Sequence, residues 1–146
     1  MKKHIHFLRP LFIFALIWTS SNQAQKPKPA ENYDLMIIID NYNPKQGKLY
    51  VAVYNNEKDF YQKKMMKINL VKKDQGVFVV SGLPEGNYAV MVMQDTNGNG
   101  RLDFNHYIPT EPYGISNNPQ LAGPPSWQDA VFKVPGKKNI HIILHN

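Results

Sequence analysis

From Asp34 to the C-terminus, apolar residues recur at every second position in short runs separated by turn formers, and this period constrains the fold more than any other feature. Side chains alternate faces along an extended chain, so a period of two marks strands. Leu35, Ile37 and Ile39 alternate with Met36 and Ile38 and end at Asp40-Asn41. Leu49, Val51 and Val53 face one way, while Tyr50, Ala52 and Tyr54 face the other. Met66 to Leu70, Val77 to Ser81, Ala89 to Gln94, Ala130 to Val134 and Ile140 to Leu144 complete seven strands. Asn43-Pro44 with Gly47, Asp74-Gln75-Gly76 and Pro135-Gly136 supply turns. Seven such strands in about a hundred residues predict an all-β fold. The expected form is a two-sheet antiparallel sandwich, immunoglobulin-like or transthyretin-like, with one long ordered loop. Asn56, with Asp59 three residues on, predicts one capped helical turn within 56–64. Leu83-Pro84-Glu85-Gly86-Asn87-Tyr88 predicts a tyrosine corner, in which the ring is internal and the hydroxyl bonds back to the main chain.

The first residues follow other rules. Lys2, Lys3 and Arg9 precede an unbroken apolar run from Leu11 to Trp18, and small or polar residues follow as far as Ala24. The run is shorter than the roughly 20 residues that span a bilayer. It reads as a secretory signal peptide, residues 1–24, with cleavage after Ala24. An uncleaved anchor is the alternative, against which Pro10 and the short core both argue. Residues 25–33, with Pro27 and Pro29 among lysines, read as an extended linker, and 34–146 as one domain. The expected location is periplasmic or extracellular, with no membrane contact once the signal is removed. Without Lys2, Lys3 and Arg9, Lys+Arg falls from 17 to 14 against 11 Asp+Glu, a net charge of +3. Such a mild excess predicts no nucleic-acid partner. Lys63, Lys64, Lys67, Lys72 and Lys73 read as a solvated strand edge protected from aggregation.

Between Asp95 and Asp129 lie some thirty residues with no long strand, and connections of that length are functional or disordered. Phe104, Tyr107, Ile108, Tyr113, Ile115, Leu121 and Trp127 give it enough apolar surface to pack on the sandwich, which favours order. The segment opens Asp95-Thr96-Asn97-Gly98-Asn99-Gly100-Arg101-Leu102-Asp103, or D-x-N-x-N-G-x-x-D. Ca2+ takes six to eight oxygens, and a tight loop presents alternate side chains to its centre. Asp95, Asn97 and Asn99 would supply side-chain oxygens and Arg101 a carbonyl, with Asp103 closing the site and Gly100 allowing the bend. An EF-hand would place Glu at the twelfth position, where this chain has His106, and no helices flank the loop. The expectation is an EF-hand-like Ca2+ loop on a β scaffold, of modest affinity with two carboxylates. The competing reading is a turn-rich connector whose aspartates cap turns.

Further on come Ile108-Pro109-Thr110-Glu111-Pro112-Tyr113-Gly114-Ile115-Ser116-Asn117-Asn118 and Gly123-Pro124-Pro125-Ser126-Trp127-Gln128-Asp129-Ala130. With the D-x-N-x-N-G-x-x-D loop, these blocks resemble a bacterial exported domain of unknown function, the family numbered 2141. The resemblance runs from Asp34 to the C-terminus. Pro112 stands where glycine is common, and Trp127 takes the aromatic place. The resemblance implies a small signal-bearing protein without assigned activity. It makes Glu111, Tyr113, Ser116, Asn117 and Asn118 candidate contacts, although asparagines that pin the loop to its own backbone are the simpler account.

Absent chemistry narrows the rest. There is no cysteine, which excludes disulfides, thiolate sites and a lipid anchor on cysteine. No G-x-S-x-G elbow is present. His141 and His145 lie four apart on a strand, roughly 13 Å, too far to share a metal. The terminal Y-R-G-S signature of transthyretin-like hydroxyisourate hydrolases is missing. The chain is therefore expected to be non-catalytic, using Ca2+ and its long loop to bind an extracellular glycan or protein. One alternative is a carbohydrate-binding module with exposed Tyr107, Tyr113 and Trp127. The other is a hydrolase using loop carboxylates and Ser116.

Overall fold

The computed structural model describes residues 31–71, 76–106 and 108–145. The expected signal peptide, Lys72, Lys73 and Tyr107 lie outside the described residues. All seven expected strands form: β1 (Asn32–Asp40), β2 (Lys48–Tyr54), β3 (Lys67–Val71), β4 (Val77–Pro84), β5 (Gly86–Asp95), β9 (Phe132–Val134) and β10 (Asn139–Ile143). Three short strands lie within the long connection: β6 (Phe104–Asn105), β7 (Ile108–Pro109) and β8 (Tyr113–Ile115). Strand β1 takes in Asn32 and Tyr33, the last two residues of the expected linker, which pair with Pro84 and Leu83.

One sheet has the order β10-β1-β4 and the other β3-β2-β5-β8, with β9 also pairing β5. Their facing sides share one core. Leu35, Ile37 and Ile39 of β1 and Ile140 and Ile142 of β10 meet Leu49, Val51 and Val53 of β2 and Val90 and Val92 of β5. This is the sandwich the period of two implies, with alternate residues turned inward. One pair departs from the antiparallel expectation, since β10 runs parallel to β1, with Ile37 beside Ile140. The chain leaves β9 in one sheet and enters β10 in the other, so Pro135-Gly136 forms a crossing between sheets.

A second core covers the outer face of the five-stranded sheet. Tyr54, Ala89 and Ile115 pack with Phe60 of helix α1 (Glu57–Tyr61) and with Trp127 and Ala130 of helix α2 (Trp127–Ala130). Asn56 caps α1 as expected, its side chain accepting from the Asp59 N–H at 2.9 Å. Helix α2 was unexpected and takes Ala130 out of the predicted strand. Its capping box is formed by Ser126 and Asp129, with the Asp129 N–H donating to Ser126 Oγ and the Ser126 N–H donating to Asp129 Oδ2. The tyrosine corner closes as expected, Tyr88 Oη donating to Pro84 O at 2.9 Å.

Candidate functional site

Strand β5 ends on Asp95, which is fully buried where the long segment begins. Its Oδ1 accepts the Gly98 and Asn99 N–H groups at 2.7 and 3.1 Å, and its Oδ2 accepts the Gly100 N–H at 2.8 Å. Three main-chain donors aimed at one carboxylate curl the chain around it. Gly100 has φ +77°, the left-handed bend expected of it. Beyond it Asn97 Oδ1 accepts from the Asn99 N–H at 3.0 Å, and Asn99 Oδ1 from the Arg101 N–H at 2.9 Å. Asp95 thus caps turns, as the connector reading expects.

The far side of the loop gathers around Asp103. Asn97 Nδ2 and Asn99 Nδ2 both donate to Asp103 Oδ2, at 2.6 and 2.5 Å, and Arg101 Nε donates to Oδ1 at 3.2 Å. The two asparagine amides, with the Arg101 charge adding to them, hold the Asp103 carboxyl below the usual carboxylate range. The side chains of Asn97, Asn99 and Asp103 therefore converge, and that of Asp95 meets the same turn through main-chain groups. Among the described residues no three His, Cys, Asp or Glu side chains group so as to hold a metal. A cation here would depend on the asparagine oxygens and the Arg101 carbonyl beside the two aspartates. These are hard oxygen donors of the kind Ca2+ takes. Each asparagine Oδ1 accepts one N–H and keeps a second lone pair.

Glu111 ties the loop shut. It is only 2% exposed; Oε1 accepts the Thr96 N–H at 2.7 Å and its hydroxyl at 3.1 Å, while Oε2 accepts the Asp103 N–H at 3.3 Å. Gln94, one residue before the loop, faces the inner core and clamps the β1–β2 turn. It donates to Asn43 O and Gln46 O and accepts from the Asn43 N–H. Gly47 of that turn lies so close to Asp95 that a Cβ would sit 2.0 Å from the Asp95 carbonyl oxygen. The clamp escaped sequence reading, although a glutamine on the inward face of a strand of valines signals a buried amide needing partners.

The second block anchors the segment. Ser116 is fully buried; its Oγ accepts the Val90 N–H at 3.1 Å and donates to Ala130 O at 2.5 Å. Asn117 and Asn118 adopt φ +69° and +47°, a conformation asparagine tolerates. Asn117 Nδ2 donates to Asp129 O and Val131 O, and Asn118 bonds His141 O and the Ile143 N–H of β10. Tyr113 is half-buried and its main chain bridges to His145. Trp127, which the carbohydrate-binding alternative needs as an exposed ring, is 8% exposed and packs edge-on against Phe60 at 5.8 Å. The aromatic at this position fills the second core, because α2 turns its first residue toward the sheet. The polar atoms of Glu111, Ser116, Asn117 and Asn118 hold loop and strands together.

A family model described as an uncharacterized protein conserved in bacteria (DUF2141) matches residues 37–142. The resemblance carried by the three sequence blocks is thereby borne out. No curated protein and no solved structure gave a match.

Proposed function

The chain belongs to the DUF2141 family of bacterial proteins, and we propose that it is an exported, non-catalytic domain whose Asp95–Asp103 loop takes Ca2+. The ion would stiffen the long segment that serves as its binding surface. The carrying observation is the convergence of Asn97, Asn99 and Asp103, with both asparagine amides within 2.6 Å of one carboxylate oxygen. The buried carboxylates of Asp95 and Glu111 lie at the start and the closure of the same loop, where a cation lowers the cost of burying negative charge.

Binding requires one local change. The asparagine amides turn their oxygens toward the ion, and the ion replaces their N–H groups as the partner of Asp103. The expected site joins Asp95, Asn97, Asn99 and Asp103 side chains to the Arg101 carbonyl, with water completing the shell. Two carboxylates suit modest affinity. Export is supported by the basic start and short apolar run of residues 1–24. A non-catalytic role is supported by Glu111 and Ser116, whose polar atoms are spent on structure.

Calorimetric titration of the mature chain with Ca2+, paired with melting in Ca2+ and in chelator, tests the reading. The expected result is saturable binding and a raised Tm, both lost in Asp103→Asn. No heat at millimolar Ca2+ together with an unchanged Tm leaves the loop as a turn capped by Asp95.

A further inference from the structure

Asn97-Gly98 and Asn99-Gly100 are the two Asn-Gly pairs of the chain, and they stand side by side in the Asp95–Asp103 loop. Asparagine is a thermolabile residue. Glycine after it is the least hindered setting for attack by the next main-chain nitrogen on the side-chain amide, because no Cβ flanks that nitrogen. The loop itself calls for both residue types. Gly98 and Gly100 have φ +83° and +77°, and the asparagine Oδ1 atoms accept from N–H groups two residues on. All four residues are exposed, so burial does not shield the amides from water.

Hydrogen bonds do the shielding. Asn97 Nδ2 and Asn99 Nδ2 donate to Asp103 Oδ2, at 2.6 and 2.5 Å. The Gly98 and Gly100 N–H groups, the would-be attackers, donate to Asp95 Oδ1 and Oδ2 at 2.7 and 2.8 Å. Attack requires the glycine nitrogen to shed its proton, and a carboxylate charge against that N–H disfavours a second negative charge there. It also requires the asparagine carboxamide to swing onto the nitrogen, which the bond to Asp103 opposes. Each pair is thus restrained at both reacting ends.

We propose that Asn97 and Asn99 are sites of non-enzymatic deamidation, that Asp95 and Asp103 hold the reaction in check, and that conversion of one asparagine hastens conversion of the other. In the step, the Gly98 nitrogen bonds to Asn97 Cγ and the Cγ–Nδ2 bond breaks. The departing NH2 takes up the proton that the Gly98 nitrogen sheds and leaves as ammonia. Water then opens the succinimide to a carboxylate, on a normal or an isoaspartyl main chain. Asn99 reacts in the same way with Gly100. The product replaces a donor to Asp103 with an acceptor-only carboxylate, and like charges at that range repel. Asp103 is the shared partner, so pushing it away also frees the remaining asparagine. The change is one-way, and the fraction converted records how often the loop has opened. The proposal rests on the closed loop and not on Ca2+.

The mature chain is incubated in mildly alkaline buffer with chelator, folded and in urea, so that the cation reading has no bearing. Peptide mapping by mass spectrometry, with isoaspartyl methyltransferase labelling, reads conversion at each position. Two bonds to charged groups must be released, so the folded rate is expected to lie at least roughly a hundredfold below the denatured one. Asp103→Ala removes one of the two restraints at both positions and should raise the folded rate roughly tenfold, with Trp127 emission reporting that the chain is folded. Asn97→Asp keeps Asp103 and should speed conversion of Asn99 severalfold, a test that does not depend on the Asp103 variant. Wild type converting equally fast folded and in urea overturns the proposal, as does a denatured chain that converts at neither position. Folded Asp103→Ala converting at the wild-type rate removes the role of Asp103, and an Asn99 rate unmoved by Asn97→Asp removes the coupling.

Discussion

Glu111→Gln tests how the loop is held closed. The carboxylate takes the Thr96 N–H and hydroxyl on one oxygen and the Asp103 N–H on the other, and at 2% exposure water cannot replace them. Glutamine keeps a single acceptor. With that oxygen toward Thr96, its NH2 group faces the Asp103 N–H, donor against donor. One charge-assisted bond is lost and two become neutral. A bond to a charged group contributes about 1.5–3 kcal/mol and a neutral one about 1 kcal/mol. The lost bond is long and belongs at the weak end of that range. Neutralising a buried charge acts in the opposite sense. The net expectation is a destabilisation of about 2 kcal/mol, or roughly 6–10 °C in Tm for a domain of this size. Urea unfolding reads it directly. In the mature chain Trp127 is the one tryptophan, and its burial against Phe60 makes its emission a reporter of folding. The midpoint should fall with the slope m unchanged. A midpoint equal to or above wild type would refute the reasoning. It would mean that the charge on Glu111 is a net liability and that the turns around Asp95 close the loop unaided.

Ser116→Ala removes a hydroxyl that serves the buried Val90 N–H and Ala130 carbonyl together. At about 1–3 kcal/mol for an unsatisfied buried group, a loss of about 3 kcal/mol is expected by urea unfolding; under 1 kcal/mol would show that another group replaces the hydroxyl. The pH dependence follows from Asp103, whose folded pKa is depressed by Asn97 and Asn99 and further by Arg101. Its contribution to stability is present above the unfolded value and is lost as pH falls through the folded one, below about pH 4. Asn97→Ser/Asn99→Ser should raise the Asp103 titration toward the usual range in carboxyl-carbon NMR and flatten that acid limb. An unmoved titration would show that the amides do not set it.

Strands were legible wherever a strand has one face on the core. Leu49, Val51 and Val53 alternate with Tyr50, Ala52 and Tyr54 in the sequence, and the same split separates the inner core from the outer face. Tyr88 and Asn56 were legible because their roles depend on partners four residues away or fewer. The parallel pairing of β1 with β10 was not, since nothing local distinguishes which edge a returning strand will take. Helix α2 had a readable start in Ser126 and Asp129, three apart, but its four residues are too few for a helical period. In the site, the curl around Asp95 was readable from spacing alone. That Asn97 and Asn99 direct their amides to Asp103, and that Glu111 ties Thr96 to Asp103, depends on side-chain direction and on partners up to fifteen residues away.

The long segment belongs to the fold. It supplies β8 to the five-stranded sheet, and through Ile115, Trp127 and Ala130 it builds the core on that sheet's outer face. Ser116 and Asn118 then bond it to β5 and β10. A loop tethered this way unfolds with the domain, so whatever binds the closed form stabilises the whole chain by mass action. A ligand at one hundred times its Kd would add about 2.7 kcal/mol. Occupancy of the Asp95–Asp103 loop should therefore register in global melting, as it would not in a loop that frays independently of the sandwich.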